Sequence, residues 1–316
     1  MASTTALVFP GQGSQTVGMG QDIAAAHAVA RQTFEEADDV LGFRFSEICF
    51  AGPEDTLNDT LNTQPALYVC GVAILRVLQG ELSDIAPLCA AGHSLGEFTA
   101  LTAAGALSFP DGLRLVRERG RLMKQAGEQQ PGAMAALLGL DAEAARALCA
   151  QASAHSGRPV VLANDNCPGQ VVISGDASAL EKALELAAAA GVKKAVKLAV
   201  SIAAHSPLME TAAAEFRQAL DTTRFYTPRI AVYGNVSTQP LTSVEAIRDE
   251  LNQQLTQSVR WAESVRAMIA AGAERFIEIG PKDVLSGLLK RIDRGKSGVA
   301  LNSAAALQAF IAQESA

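Results

Sequence analysis

Histidine is scarce in this 316-residue sequence: only His27, His93, His155 and His205 occur. Any reaction that needs an imidazole base has four places to find one. Cysteine is also thin, with Cys49, Cys70, Cys89, Cys149 and Cys167 scattered, odd in number and without a C-x-x-C pair. That distribution points away from a disulfide framework and toward reduced thiols in a cytoplasmic protein. No uninterrupted apolar stretch has the length of a bilayer span, so no membrane partner is expected. Met1 to Val8 lack a charged n-region, and no export signal is visible there. Basic residues are in deficit, 26 Lys and Arg against 33 Asp and Glu, for a net charge of −7. This balance argues against nucleic acid as a main partner. Internal repeats are absent, as is low complexity beyond alanine-rich helices.

What is present is a chain with 49% hydrophobic and 19% charged residues, the composition of a globular protein with a substantial core. It is organised around Ala90-Ala91-Gly92-His93-Ser94-Leu95-Gly96-Glu97. Ile85 to Ala91 is a short apolar run suited to a buried strand, and Leu95 to Ala106 is rich in Ala and Leu and reads as a helix. Between them Gly92-His93-Ser94-Leu95-Gly96 matches G-x-S-x-G. That pattern marks a sharp strand-to-helix turn that lifts a serine hydroxyl out of a sheet beside free backbone N–H groups.

In chain order, Thr5 to Phe9 reads as a strand that ends in the loop Pro10-Gly11-Gln12-Gly13-Ser14-Gln15, where glycine and proline forbid helix. Helices are expected over Asp22 to Val40 and Thr63 to Leu78, the second capped by Thr63 or Gln64 with Pro65 in its first turn. In the Pro110 to Ala126 helix, Leu115, Val116, Leu122, Met123 and Ala126 share one face. Arg114, Arg117, Arg121 and Lys124 form a basic stripe on the other. Arg119 breaks ranks and falls in the middle of the apolar face.

From Gly132 the pattern changes to strand (133–140), helix (142–152), two strands (159–164 and 170–174), helix (177–190) and strand (192–200). The order β-α-β-β-α-β is ferredoxin-like. After it come a helix from Ser206-Pro207 to Leu220, a strand at 230–233, helices at 244–255 and 258–271, a strand at 275–279 and a helix from Asp283. Strands and helices alternate outside the insert, which implies a parallel sheet covered on both faces. The expected fold is therefore α/β, with an α/β-hydrolase-like catalytic domain formed by residues 1–127 and 199–316. A ferredoxin-like subdomain is inserted at 128–198.

Ser94 needs a base, because a free serine hydroxyl is a poor nucleophile near neutral pH. His93 is adjacent, and neighbouring side chains at a tight turn diverge. His27 lies on an early helix and His155 in a loop of the insert. His205 stands at a strand end just before a helix, where active-site loops gather in an open α/β sheet. It also follows the serine in the chain, as in hydrolases of this class. No acid stands out near it to complete a triad. On the 244–255 helix, Gln254 shares the apolar face with Ile247, Leu251 and Leu255, as either a structural amide or part of a site. Arg119 cannot discard its charge, and burying it unpaired costs several kcal/mol. It must meet an anion, whether a core carboxylate or a carboxylate on a substrate.

The chain resembles malonyl-CoA:acyl carrier protein transacylases, including the acyltransferase domains of polyketide synthases. The resemblance runs over nearly the whole chain. It is carried by Phe9-Pro10-Gly11-Gln12-Gly13-Ser14-Gln15, Thr63-Gln64-Pro65-Ala66, Gly92-His93-Ser94-Leu95-Gly96-Glu97, Arg119-Gly120, Gly132-Ala133-Met134, Pro168-Gly169-Gln170, His205-Ser206-Pro207-Leu208-Met209 and Gly280-Pro281. It implies a ping-pong transfer of malonyl from malonyl-CoA, through a malonyl ester on Ser94, to the phosphopantetheine thiol of acyl carrier protein. His205 would be the base, and Gln254 would orient it through its backbone carbonyl. Gln12 and Leu95 would line the oxyanion hole, and Arg119 would hold the malonyl carboxylate. No cofactor or metal is implied beyond the CoA thioester, which is substrate, and the family suggests a monomer. Alternatives of the same fold are a trans-acting polyketide acyltransferase with relaxed malonyl/methylmalonyl choice and an editing acyl hydrolase. Ala204 is a departure: relatives selective for malonyl often carry Phe, and others Ser, before the histidine. The smaller side chain implies space near the acyl α-carbon. Because the chain is acidic, docking of an acidic carrier would need a local positive patch. The candidates are Arg114/Arg117/Arg121/Lys124, Lys193/Lys194/Lys197 and Lys290/Arg291/Arg294/Lys296.

Overall fold

The computed structural model describes residues 4–82 and 86–315. Ten strands form two sheets: β1 Thr5–Phe9, β2 Cys89–Gly92, β3 Gly132–Leu138, β4 Val160–Cys167, β5 Gln170–Asp176, β6 Lys194–Lys197, β7 Ala231–Tyr233, β8 Pro240–Leu241, β9 Arg275–Ile279 and β10 Ser297–Leu301. The first residue of the expected strand before the serine turn, Ile85, lies outside the described residues; the strand itself begins at Cys89.

The larger sheet has the order β10-β9-β1-β2-β7-β8. Every neighbouring pair is parallel except β7–β8. The expected parallel sheet thus carries one antiparallel edge strand. The chain returns from β7 without a crossover, with Gly234 N–H bonded to Gln239 O at 3.1 Å, and such a short return can only make an antiparallel partner. β1 and β2 are buried at every residue, which is why they read as continuous apolar runs. Their carboxyl ends carry the Pro10–Gln15 loop and the serine turn side by side, the place where parallel sheets of this kind hold ligands.

The smaller sheet has the order β4-β5-β3-β6 with all neighbours antiparallel. With helices Ala142–Ser156 and Ala177–Ala189 between its strands, it is the ferredoxin-like pattern. It has a core of its own built on Ala135, Leu137, Leu162, Ile173, Leu180 and Ala183. Its last strand is shorter than expected, four exposed residues ending at Lys197, an edge defended by lysines.

Two further expectations are corrected, and two features were not expected. The 22–40 helix is two, Gln21–Ala26 and Ala28–Leu41, separated by His27 in an extended conformation. The next helix runs Thr60–Glu81, and its cap is Asp59, whose side chain accepts from Leu61 N–H; Thr63, Gln64 and Pro65 lie inside it. Pro65 has no N–H to give the Leu61 carbonyl four residues back. Arg117 Nη1 donates there instead, at 3.1 Å. This helix is long and apolar enough to cross a membrane by length and composition, unlike anything expected from the sequence. However, 89% of its apolar window is buried inside the protein, so its apolarity serves the core. Finally, β10 and the Ala304–Glu314 helix complete the sheet edge.

Candidate active site

The serine turn is built by close packing. Side-chain carbon added at Gly92 would lie 1.8 Å from the Gly96 carbonyl carbon, and at Gly96 2.1 Å from Phe9 O. At Gly11 it would lie 2.4 Å from His93 O. The loop after β1 is therefore pressed directly against the turn after β2, and only glycine permits it. Ser94 takes φ 51° and His205 φ 59°, a region costly for side-chain-bearing residues and typical of functional positions. Asn235 braces Ser94: its Oδ1 accepts from Ser94 N–H at 2.6 Å, and its Nδ2 donates to Gly92 O at 2.7 Å. In sequence Asn235 is merely the residue after a glycine in a turn, and nothing local marks it as a brace for a serine 141 positions away.

Ser94 Oγ and His205 Nε2 are 2.9 Å apart. On the other side of the ring, Nδ1 is 2.7 Å from the backbone carbonyl of Gln254. A carbonyl only accepts, so the proton sits on Nδ1, and Nε2 is left bare to accept from the serine hydroxyl. His205 is buried, 3% exposed. Burial first, and the Arg119 charge second, push its pKa down to about 3. It is a neutral base at physiological pH. His93 turns away from Ser94 and bonds Asn166 of β4 through Nε2 at 2.8 Å, tying the serine turn to the small subdomain. His27 and His155 are elsewhere, the latter bonded to Gln151 O on its own helix.

Arg119 is 1% exposed, and its surroundings answer the question raised by the sequence. Nη1 donates to Gln64 Oε1 at 2.8 Å, while Nη2 donates to Gln254 Oε1 at 2.9 Å and to Ser94 Oγ at 3.0 Å. All three acceptors are neutral, and among the described residues Nε has no hydrogen-bond partner. Phe98 lies beneath the guanidinium, 5.9 Å from its ring centroid. Among the described residues no carboxylate forms an ion pair with Arg119. Desolvation lowers its pKa from 12.5 to about 10, opposed by Glu97. A buried, still-charged guanidinium with neutral neighbours beside a serine hydroxyl is a ready site for an incoming carboxylate.

Gln254 is buried and Gln253 exposed, as the helix periodicity predicts. Gln64, absent from the sequence-based site, joins it as the second amide holding Arg119. Gln64 Nε2 is in turn seated on Met123 Sδ at 3.1 Å. The backbone N–H groups of Gln12 and Leu95 bond to no protein acceptor among the described residues. They stand in the two loops that Gly11 and Gly96 press together, and can receive negative charge developing on a carbonyl oxygen at Ser94. The Gln12 side chain is turned toward Thr60 Oγ1, at 3.2 Å. Ala204 is buried immediately before His205.

The basic stripe is not a free patch. Arg114 pairs with Asp111, Arg121 with Glu118 and Lys124 with Asp59, and Arg117 serves Leu61 O and Asn62 Oδ1. Lys197 pairs with Glu181. Among the described residues Arg291 donates to two neutral acceptors, Gln170 Oε1 and Pro168 O.

Residues 6–306 match the model of the acyl transferase domain family. The chain is 44% identical over 306 residues to a malonyl CoA-acyl carrier protein transacylase of Escherichia coli (strain K12), covering 97% of this chain and 98% of the relative. An acyl carrier protein S-malonyltransferase structure from Vibrio cholerae superposes with TM-score 0.93 at 46% identity, over 98% of this chain and all of that one. The structure of a type II PKS acyl-carrier protein in complex with its malonyl-transacylase gives TM-score 0.95 at 44% identity, over 98% and 100% of the two chains.

Proposed function

Because this chain belongs to the malonyl-CoA:acyl carrier protein transacylase family of acyl transferases, we propose that it moves malonyl from malonyl-CoA to the phosphopantetheine thiol of an acyl carrier protein, with Ser94 as the relay. Ser94 Oγ attacks the thioester carbonyl carbon as His205 Nε2 takes the hydroxyl proton. The tetrahedral oxyanion is received by the N–H groups of Gln12 and Leu95. Its collapse breaks the C–S bond, and the departing CoA sulfur takes the proton back from His205. The carrier thiol then gives its proton to His205 and attacks the malonyl ester, and the serine oxygen leaves with that proton. Arg119 holds the distal carboxylate throughout. No cofactor is required for these steps.

The observation that carries this reading is the Arg119 site: a buried cation with neutral partners, 3.0 Å from the serine hydroxyl. An editing hydrolase of simple acyl chains has no use for such a charge. Brief exposure to malonyl-CoA should add one malonyl group to the intact mass of the protein, and Ser94→Ala should abolish the adduct. An adduct that survives Ser94→Ala would place the nucleophile elsewhere.

Ala204 supports a second, narrower expectation about the acyl group. Methylmalonyl-CoA should acylate Ser94 in competition with malonyl-CoA, and Ala204→Phe should exclude it while sparing malonyl. Complete exclusion of the branched substrate by the unmodified protein would show that Ala204 gives no extra room.

A further inference from the structure

Two carboxyl groups are buried together behind the serine turn, and their surroundings differ. Glu250 accepts from two backbone donors, Val236 N–H at 2.5 Å and Ser237 N–H at 3.0 Å. Glu97 is wholly buried. Its Oε2 accepts from Gln254 Nε2, and among the described residues its Oε1 has no hydrogen-bond partner of good geometry. Neither acid is ion-paired among the described residues. A buried carboxylate with one oxygen unsatisfied is far costlier than a neutral carboxyl in the same place. Of the two, Glu250 has a close backbone donor on each carboxyl oxygen, whereas Glu97 has the Gln254 amide on one oxygen and an unsatisfied second oxygen.

Gln254 explains why this matters to the site. Its NH2 group donates to Ser94 O at 3.0 Å and to Glu97, and these two acceptors oblige its oxygen to face Arg119 Nη2. Turned over, the amide would set N–H against guanidinium N–H and oxygen against two acceptors. We propose that Glu97 is a positioning residue that carries a proton in the resting protein. As a neutral acceptor it fixes the Gln254 amide, and by staying neutral it leaves the Arg119 charge unquenched for the substrate carboxylate. This rests on the malonyl-transfer reading above. The groups facing Glu97 are Glu250 from the Val244–Gln254 helix, Arg119 from the Phe109–Gln129 helix, the Gln254 amide and the Asn235 backbone N–H. Burial first and the Glu250 charge second push the Glu97 carboxyl well above the ordinary carboxylate range, against the other three.

The test is single-turnover acylation of Glu97→Ala and Glu97→Gln with malonyl-CoA and acetyl-CoA, together with an infrared difference spectrum of the unmodified protein against Glu97→Gln at neutral pH. Glu97→Ala should lower malonyl acylation about tenfold, the scale of one lost buried hydrogen bond. Glu97→Gln, neutral and able to accept from Gln254, should restore it to within about threefold with the malonyl preference kept. The difference spectrum should contain the C=O band of a protonated carboxyl. A carboxylate band in its place would overturn the proposal. So would a glutamine variant as impaired as the alanine one, or one with a sharply altered malonyl preference. If the alanine variant does not fold, the glutamine variant and the spectrum decide. Failure of the unmodified protein to take malonyl at all would instead sink the transfer reading, and is seen separately.

Discussion

Replacing Arg119 with alanine should lower kcat/KM for malonyl-CoA by about 100- to 1,000-fold, the loss of one partner of a desolvated charge pair worth roughly 3–4 kcal/mol. Acetyl-CoA, which has no distal carboxylate, should acylate Ser94 as well as before or better. The asymmetry follows from the contacts. Arg119 Nη2 divides its hydrogen bonding between Ser94 Oγ and Gln254 Oε1, and neither bond balances its charge. A bound malonyl carboxylate would supply that balance. Arg119→Lys should recover little, because an ammonium point charge cannot span Gln64 and the substrate as a planar fork does. An equal fall for both acyl groups would make Arg119 a structural residue that shapes the serine turn.

His205→Ala should slow acylation by about 10⁴-fold, the upper range for loss of a positioned general base. The pH dependence adds a sharper expectation. Only neutral imidazole takes the serine proton, so activity is lost as pH falls through the histidine pKa in the folded protein. An unperturbed histidine would lose half its activity near pH ~6.5. Burial and the Arg119 charge hold His205 at about 3, so kcat/KM should stay flat well below pH ~6.5 on the acid side. In Arg119→Ala the largest charge that lowers it is gone, and the acid limb should move to higher pH. In the malonyl complex the substrate carboxylate offsets the same charge, so the limb of kcat should lie above that of kcat/KM. A limb near the ordinary histidine pKa in the unmodified protein would mean that His205 is neither desolvated nor influenced by Arg119.

Much of this arrangement was legible in one dimension because it depends on local rules. Gly92, Ser94 and Gly96 announce the turn by a spacing readable within five residues, although Gly96 itself is required by the distant Phe9 backbone. Arg119 stood out because helical periodicity is strict enough to place a cation on an apolar face. Gln254 stood out for the same reason. What the sequence left obscure involves partners distant along the chain. Asn235 braces Ser94 from another strand end, and Gln64 holds Arg119 from inside a helix whose true cap is Asp59. Helix starts were misplaced where a better capping residue stood just upstream, and Pro65 was tolerated inside its helix because Arg117 takes over the carbonyl it frees. In the basic stripe, Arg114 and Arg121 pair with acids three residues earlier on their own helix, whereas the partners of Lys124 and Arg117, Asp59 and the Leu61 carbonyl, lie at the start of another helix and cannot be seen in a helical projection. β10 is a short, half-exposed edge strand with Gly298 as its second residue, too weak a pattern to read from sequence.

The most direct test of Ser94 as a relay between thioesters is the fate of the malonyl group once it is on the protein. Malonyl-Ser94 protein freed of CoA should keep its adduct in buffer. On addition of holo acyl carrier protein, the malonyl mass should pass to the carrier within the turnover time and leave the serine bare. Loss of the adduct to water at the same rate with or without the carrier would contradict transfer, and would make the site that of a hydrolase.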